Sequence, residues 1–293
     1  MSGIELSALP APQVLEELDF EEIFQGDLTA FRAHMGDDWT AQLLSDPVTK
    51  LLEVGAYRTL LNRARVNDAA KALLLAYAQG SDLDQLAANV RLQRLVVQEA
   101  NPDSVPPTER ILEEDDALRE RIQLVYEGLT TAGPRNSYIL HARNASGLVA
   151  DATAESPSPA VVDVTVLSLD DKGIASPDLL AEVMAYLNAD DVRPVADRVN
   201  VRSAEILPYQ IHAVLHMTGN GPENEATLAE CRRRLQAWIN PRRRLGVEVP
   251  RSAIDAQLHI GGVARVELTG WTDIRPSKAQ AAWCDSFDLT LGG

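Results

Sequence analysis

The chain has 293 residues, of which 45% are hydrophobic and 24% are charged, as in an ordinary soluble globular protein. Its formal net charge of −16 argues against a general nucleic-acid binder, because such a protein gains affinity by neutralising phosphates with basic side chains. No apolar run reaches the roughly 18 residues of a membrane-spanning helix, and no signal peptide is visible at the N-terminus. We therefore expect synthesis in the cytoplasm of the producing cell and no insertion into a membrane.

The charge is unevenly distributed along the chain. Residues 1–55 contain eleven acidic residues against Arg32 and Lys50, whereas residues 231–251 contain seven arginines against Glu248. An acidic end and a basic patch in one chain suit contact between subunits of a repeating assembly. A solvated helix face explains the same pattern equally well, and the sequence leaves both interpretations open.

The first third of the chain has the pattern of helices. Asp46-Pro47 is typical of a helix start and Gly80 of a helix end, so the apolar pattern between them predicts one helix over residues 47–78. A break at the polar stretch Asn62–Asp68 is the alternative. A short helix follows, capped by the segment that begins at Ser81. The apolar stripe of the long helix needs a partner inside or outside the chain. We expect a partner interface there that uses Leu51, Leu52, Leu60 and Leu61.

The middle of the chain combines a proline-rich segment, a helix and the start of a mixed domain. Three prolines lie within Asn101–Pro107, which predicts a linker. A helix over residues 115–129 follows, with its apolar residues on one face. Residues 137–154 then form the start of a mixed domain, and a predicted loop follows this segment at residues 156–159.

From Val161 onward, strand-like and helix-like segments alternate. Ser176 is a candidate N-cap and Pro177 suits the first helical position. The predicted elements are strand 161–169, helix 177–188, strands 199–204 and 209–217, helices 223–239 and 251–259, and strands 263–268 and 283–289. The whole pattern predicts an α+β fold, in which an N-terminal helical region precedes mixed α/β domains with small sheets. We expect three regions, residues 1–100, 101–200 and 201–293.

A turn at Arg193-Pro194 connects the helix over residues 177–188 to the next strand. The residue before a proline is forced away from the helical conformation, so the chain must become extended here. We expect a structural role, in which Arg193 pairs with a carboxylate among Asp190, Asp191 and Asp197 or caps the end of the helix.

Candidate metal and nucleotide sites are few. His212 and His216 are four residues apart, but their context is a strand and no third ligand is nearby. Gly219–Pro222 lies between a strand and a helix, as a phosphate-binding loop would, yet it lacks the third glycine and the lysine of such loops. Cys231 and Cys284 show neither metal-ligand spacing nor a disulfide framework. The sequence therefore predicts no metal and no cofactor.

Acidic and basic clusters have structural explanations as well as chemical ones. The run Glu113–Asp116 could supply a pair of carboxylates for acid–base chemistry, but acids just ahead of a helix also stabilise its positive end. The clusters Arg232–Arg234 and Arg242–Arg244 could contact nucleic acid, but arginines bind carboxylates equally well. We expect no catalytic residue, and we expect Arg242, Arg243 and Arg244 to reach outward to an acidic surface of a partner.

Several segments resemble one known family, and they occur in the family's order over nearly the whole chain. They are Leu9–Pro12 with Glu16–Glu21, Lys50–Arg58 with Arg65–Ala70, Tyr126–Leu129, Ser156–Pro159 and Val192–Val199. These segments are similar to those of the J-like baseplate proteins of contractile phage tails and tailocins. The resemblance implies a structural baseplate wedge subunit, located in a phage tail or phage-derived bacteriocin particle.

The same resemblance implies particular partners. In the family, N-terminal helices join a bundle shared with a smaller wedge protein, near the sheath-initiator protein. C-terminal α+β regions contact further copies of the same chain and form a ring around the central hub and spike proteins. Mapped onto this sequence, the helix 47–78 and also the helix 115–129 would enter the bundle, and residues beyond about 200 would form ring contacts.

Two other functions remain as alternatives. One is a nucleic-acid-handling phage protein that uses the arginine clusters Arg232–Arg234 and Arg242–Arg244. The other is a tail-associated hydrolase, for which no clustered acid, base and nucleophile is evident in the sequence.

Overall fold

The computed structural model describes residues 6–10, 12–36, 43, 45–129, 133–190, 192–219, 221–240 and 244–292 of the chain. The chain divides into two compact units, Met1–Gln93 and Arg94–Gly293. The first unit is helical, and the second contains three small sheets with their helices. This arrangement confirms the predicted α+β fold.

Two helices of the first unit lie side by side. Helix α1, Phe20–Met35, begins where the Asp19 carboxylate accepts hydrogen bonds from the N–H groups of Glu21 and Glu22. Helix α2, Pro47–Ala72, begins in the same way at Asp46. The backbone N–H of Glu16 donates to Asn67 Oδ1 at 3.1 Å, and Asn67 Nδ2 donates to Glu16 O at 2.8 Å. The start of α1 therefore lies beside the C-terminal part of α2, so the two helices are antiparallel.

The predicted helix over residues 47–78 is too long. α2 ends at Ala72, and the chain then turns, because the N–H groups of Tyr77 and Ala78 both donate to Leu74 O. The turn buries Ala78 and leads into helix α3, Gly80–Asn89. Gly80 has a positive φ of 50° and is the first residue of α3, so it does not end the preceding helix as predicted.

The second unit opens with a two-stranded ribbon. Strand β1, Val96–Gln98, pairs antiparallel with strand β2, Ile111–Leu112. The proline-rich segment predicted as a linker forms the closed end of this ribbon, since the backbone groups of Asn101 and Thr108 exchange two hydrogen bonds of 3.0 Å. The linker prediction is therefore wrong at this point. The prolines shape a hairpin loop whose ends are hydrogen-bonded to each other.

Two helices lead into the first larger sheet. Helix α4, Asp115–Leu124, continues as a 3-10 helix over Val125–Leu129, so the predicted helix 115–129 changes its winding near its end. A 3-10 turn of this kind is common at the end of an α-helix, and Gly128 within it lies against Leu140 with no space for a side chain. Helix α5, Arg135–Ala145, occupies the segment in which the sequence indicated only the start of a mixed domain.

The first larger sheet has the order β3-β4-β5. Its strands are β3, Val149–Ser158, β4, Val161–Ser168, and β5, Arg198–Ser203. β3 and β4 form an antiparallel hairpin, so most of the predicted loop 156–159 belongs to β3. A register shift between Glu155 and Ser158 accommodates the proline of this edge strand. β4 and β5 are parallel, and the crossover between them carries helix α6, Pro177–Leu187.

The second larger sheet has the order β7-β6-β8. Its strands are β6, Glu205–Met217, β7, Val263–Leu268, and β8, Gln280–Leu291. β6 pairs antiparallel with β7 and parallel with β8. Helices α7, Glu223–Trp238, and α8, Arg251–Leu258, supply the other half of its core. That core contains Ile211, Leu215, Cys231, Leu235, Ile254, Leu258 and Leu289, all fully or almost fully buried.

A separate cluster joins the two larger sheets. Leu167 of β4, Ala204, Leu245 and Ala281 of β8 are buried together. Ala204 is the one residue between β5 and β6, so the chain passes from one sheet to the other without a loop. The two sheets are therefore joined both by apolar packing and by continuous extended backbone.

Candidate functional site

The four leucines predicted for a partner interface lie on two faces of α2. Leu52 and Leu60 are partly buried, on the face that carries the buried residues Thr49 and Ala56. Leu51 and Leu61 are 70% and 49% exposed, and the helical period places them on the opposite face. The structure thus separates leucines that contribute to the packing of the unit from leucines that are free for contact.

The exposed face of α2 contains two apolar residues that the sequence analysis missed. Val54 and Tyr57 are 50% and 54% exposed and continue the row of Leu51 and Leu61. Positions 51, 54 and 61 follow the three- and seven-residue spacing of one helix face. That spacing is present in the sequence, but the sequence does not show which apolar residues of the helix remain exposed after folding. We call Leu51, Val54, Tyr57 and Leu61 the α2 stripe.

The turn at Arg193-Pro194 connects to the end of α6 through a side-chain relay. The N–H of Arg193 donates to Ala189 O at 2.9 Å, and its guanidinium donates to Asn188 Oδ1 at 3.3 Å. Asn188 Nδ2 in turn donates to Met184 O at 2.8 Å. Arg193 therefore reaches the last turn of the helix indirectly. Asp191 lies outside the described residues, and the structural role of Arg193 and Pro194 stays a prediction.

Asp197 of the same turn is held by Tyr138 of α5. The Tyr138 hydroxyl donates to Asp197 Oδ2 at 2.6 Å. Burial raises the pKa of Tyr138, and its hydrogen bond to the Asp197 carboxylate raises that pKa further. The hydroxyl therefore stays protonated and keeps its role as a donor, and the hydrogen bond ties the turn to α5.

The arginines of α7 are directed to different neighbours. Arg232 Nη2 donates to Leu289 O at 3.0 Å, while Arg233 forms a two-bond pair with Glu230. Arg234 Nη2 lies 3.5 Å from Ala256 O. The helical rotation of about 100° per residue separates the three side chains. These arginines do not form one continuous basic surface.

Arg244 does not reach outward as predicted. Its guanidinium donates to Glu120 Oε1 at 2.9 Å, and Arg143 binds the other carboxylate oxygen at 2.8 Å. Burial alone would raise the pKa of Glu120, but the charges of Arg244 and Arg143 outweigh it and hold that pKa below its usual range. Sequence reasoning missed this bridge because its partners are 124 residues apart. Arg242 and Arg243 lie outside the described residues, so their predicted interface is untested.

The acidic run Glu113–Asp116 forms structural ion pairs at the start of α4. Glu113 pairs with Arg121, and both side chains are buried. Asp115 binds Arg94 at 2.7 Å and Asp116 binds Arg119. Burial lowers the pKa of Arg121, and the Glu113 charge opposes that effect. These carboxylates hold the segment before α4 in place, in agreement with the structural interpretation of this run.

His216 and the glycine turn near α7 also have local partners. His216 Nε2 lies 3.0 Å from Arg265 Nη2 and 3.4 Å from Glu267 Oε2 on the outer face of β6 and β7. Within the described ranges, no group of three His, Cys, Asp or Glu side chains is arranged to hold a metal ion. Asn224 Nδ2 donates to Gly219 O at 2.8 Å, which closes the turn before α7.

No helix in the described part is long and apolar enough to cross a membrane.

These features define a protein whose charged groups mainly connect elements and whose first unit carries an exposed apolar helix face. The profile of the Baseplate J-like N-terminal domain matches residues 45–101, and that of the Baseplate J-like central domain matches residues 130–203. Baseplate protein J of Escherichia phage P2 is 46% identical over 300 residues, which cover 100% of this chain and 99% of the relative. The chain therefore belongs to the baseplate J-like family.

Membership in this family confirms the resemblance found in the sequence. The chain is a structural baseplate subunit of a contractile phage tail, located in the tail of the virion, and it is not an enzyme. As a baseplate protein it interacts with other baseplate components.

Proposed function

We propose that the chain is a wedge subunit that forms a ring around the central hub and helps to trigger contraction of the sheath. The observation that carries this proposal is the 46% identity to Baseplate protein J, which extends over 100% of the chain. The proposed partners are further copies of the chain, a smaller wedge protein, the sheath-initiator protein and the hub and spike proteins. The ring would have two stable arrangements, and widening it would release the sheath.

The α2 stripe supports a contact with the smaller wedge protein. Leu51, Val54, Tyr57 and Leu61 expose apolar surface along one face of a 26-residue helix. A row of apolar side chains at this spacing is suited to packing against a second helix. The opposite face of α2 carries the buried residues Thr49 and Ala56, so among the described residues the stripe is a row of exposed apolar side chains that a partner can contact.

Co-purification tests this contact. The double variant Leu51→Asp, Leu61→Asp, co-expressed with the smaller wedge protein, should remain folded but lose the complex, because two charges then lie in the apolar contact. Circular dichroism would check the fold, and size-exclusion chromatography of the co-expressed pair would measure the complex.

A matched control lies on the same helix. Val66 is 59% exposed and lies about 140° around the helix from Leu61 and about 22 Å along the axis from Leu51, at roughly 100° and 1.5 Å per residue. Val66→Asp should therefore keep the complex intact. A folded Leu51→Asp, Leu61→Asp variant that still co-purified like the natural chain would contradict the proposed bundle contact.

A further inference from the structure

The first larger sheet and α6 form a layer with two unlike ends. β4 and β5 are parallel, and α6 runs back between them in the crossover. The turn Pro194–Asp197, which follows α6, therefore lies at the end where the two strands begin. The segment Ser168–Pro177 lies at the end where β4 finishes. The two ends are separated by roughly 16 Å, the length of the 11-residue helix between them.

The turn Pro194–Asp197 holds one apolar side chain out in the solvent, and we call it the Val195 turn. Its last N–H donates to its first carbonyl oxygen at 3.1 Å, which places Val195 at the corner, and this side chain is fully exposed. The hydrogen bonds of Tyr138 and Arg193 fix the turn to α5 and α6. Because the turn is already ordered, Val195 loses little freedom when it enters a partner.

A cavity of about 290 Å³ opens at the other end of the layer. Its apolar lining includes Leu148, Leu179 and Ile174, and the last of these is 46% exposed. The walls are held by hydrogen bonds of 2.9 Å, one from the N–H of Leu169 to Leu148 O and one from the N–H of Ala175 to a serine hydroxyl of β5. Small-molecule pockets are usually larger, roughly 300–1,000 Å³, so one apolar side chain matches this cavity better than a cofactor does.

Basic side chains flank the Val195 turn. Arg193 lies two residues before Val195 and Arg198 three residues after it, and both are exposed. Asp197 is partly buried and accepts the hydrogen bond from Tyr138. Asp190 is exposed as well, but it precedes the turn by four residues. The immediate surroundings of Val195 are therefore positively charged.

Acidic side chains flank the cavity. Asp170 lines it, and Asp178 lies in the first turn of α6, and both are exposed. Lys172 lies close by in the chain, but it pairs with Asp285 at 2.8 Å. The cavity thus combines an apolar interior with an acidic rim, whereas the Val195 turn combines an apolar tip with a basic surround. Such complementary charges favour and orient a contact between the two surfaces.

We propose that the Val195 turn of one copy of the chain inserts into the cavity of the next copy, with Val195 against Ile174 and Arg198 beside Asp170. Two different surfaces at opposite ends of one layer make this contact heterologous, so it joins copies head to tail. Head-to-tail contacts close into a ring when the rotation between subunits permits it. The inference rests on the proposed function and deepens it, because it assigns one contact between wedge subunits to named residues of the first larger sheet.

Cysteine crosslinking between two variants of the full chain tests the contact. Val195→Cys chains mixed with Ile174→Cys chains should form a covalent dimer on mild oxidation, whereas either variant alone should form none, because a heterologous contact joins unlike residues. The natural cysteines Cys231 and Cys284 are buried, and burial raises the pKa of both thiols, so they compete little. Absence of the mixed dimer, or a dimer of Val195→Cys alone, would overturn the proposal.

A matched control lies on the hairpin loop between β1 and β2. Val105 is almost fully exposed and stands beside a proline, as Val195 does. Val105→Cys should therefore be as accessible to oxidant as Val195→Cys but should not crosslink to Ile174→Cys. Equal crosslinking of the two would show random collision and overturn the contact.

Charge reversal tests the orientation. In Val195→Cys chains, Arg198→Glu should lower the fraction crosslinked to Ile174→Cys roughly fivefold, because it brings two acidic side chains together. Asp170→Lys in the Ile174→Cys chain should lower that fraction similarly, and combining the two reversed chains should restore it. Arg110→Glu, on β1–β2, should have no effect. Failure of the combined reversal to restore crosslinking would overturn the proposed seating of the turn.

Assembled particles separate this contact from the proposed function. The double variant Val195→Cys, Ile174→Cys cannot close a disulfide within one chain, because its sites lie at opposite ends of α6 and a disulfide spans only roughly 4.4–6.8 Å between Cα atoms. Particles that yield linked copies on oxidation would support both the contact and the wedge function. Intact particles without linked copies would overturn the contact and leave the wedge function standing. A natural chain absent from the baseplate ring would overturn the wedge function, whatever the isolated chains do.

Discussion

At the scale of single residues, Glu120 shows how one carboxylate can hold distant segments together. It lies on α4 and binds Arg143 of α5 and Arg244, which follows α7 by a few residues. Arg143 is buried, so its charge needs a partner to be tolerated in the fold. Glu120 therefore contributes to stability in two ways: it neutralises the buried charge of Arg143, and it accepts hydrogen bonds.

Replacing Glu120 with glutamine should lower the free energy of unfolding by roughly 1 kcal/mol at neutral pH, a value discounted for solvent screening because the side chain is 40% exposed. Urea unfolding measures the loss. Glu230→Gln is the matched control, because the Glu230–Arg233 pair lies at the surface and should contribute little. Equal stability of the natural chain and Glu120→Gln would contradict the role of the bridge.

The same comparison has a defined pH dependence. The pKa of Glu120 in the fold lies below its ordinary value of 4.5, so its contribution is present above that value. The contribution is lost as the pH falls through the lowered pKa of the folded state. The stability difference between the natural chain and Glu120→Gln should therefore be constant from neutral pH down to about pH 5.5 and shrink below about pH 4.5. If this stability difference grew as the pH fell, a titrating group other than Glu120 would determine the pH dependence.

Tyr138 offers a second test at this scale. Tyr138→Phe removes only the hydroxyl that binds Asp197, and should cost about 1.5–3 kcal/mol because the acceptor is charged. Thermal unfolding measures the change. Tyr126→Phe, at a tyrosine that is 71% exposed, should leave the transition where it is. If Tyr138→Phe and Tyr126→Phe both had the unfolding temperature of the natural chain, the hydrogen bond to Asp197 would not stabilise the turn.

At the scale of elements, local signals predicted some structures and tertiary contacts decided others. The start of α6 is correctly predicted, because Ser176, Pro177 and Asp178 act within one turn of the helix. The end of α2 and the extension of β3 to Ser158 are not correctly predicted. The end of α2 depends on the following turn, which buries Ala78, and the extension of β3 depends on its hairpin pairing with Val161. The α2 stripe lies between these cases, since its spacing is local but its exposure is set by packing.

The N-cap of α6 can be tested directly. The hydroxyl of Ser176 accepts a hydrogen bond from the N–H of Leu179 at 3.2 Å. Ser176→Ala should cost about 1 kcal/mol of stability, whereas Ser176→Asp should retain most of it, because aspartate is an equally good cap. Chemical denaturation of the two variants distinguishes loss of the cap from any effect of substitution at this site. Equal losses would show that the hydroxyl does not act as a cap.

At the scale of the whole molecule, the two larger sheets depend on the residues between them. Leu245 is buried in the joining cluster, its N–H donates to Asp151 Oδ2 at 3.0 Å, and Arg244 beside it binds Glu120. Burial raises the pKa of Asp151, and the hydrogen bond from Leu245 works against that effect. Polar and apolar contacts of one short segment thus hold the sheets in a fixed relation.

Leu245→Ala should therefore lower the free energy of unfolding by about 2–5 kcal/mol, the usual range when a buried leucine is truncated. The control Val247→Ala lies two residues further on at an exposed side chain and should change stability by less than about 0.5 kcal/mol. Urea unfolding followed by tryptophan fluorescence measures both. A loss of the same size in the two variants would argue against the cluster as the joint between the sheets.

The passage through Ala204 has a mechanical consequence for a tail that contracts. Because β5 continues into β6 without a loop, tension applied to one sheet is transmitted along the backbone to the other with no slack. β5 lies parallel to β4, and β6 lies parallel to β8, so a pull along the chain loads both pairs lengthwise. Bonds loaded in this direction share the force and must break together, whereas bonds pulled from one end break one after another. The two sheets should therefore move as one stiff lever and transmit displacement instead of absorbing it.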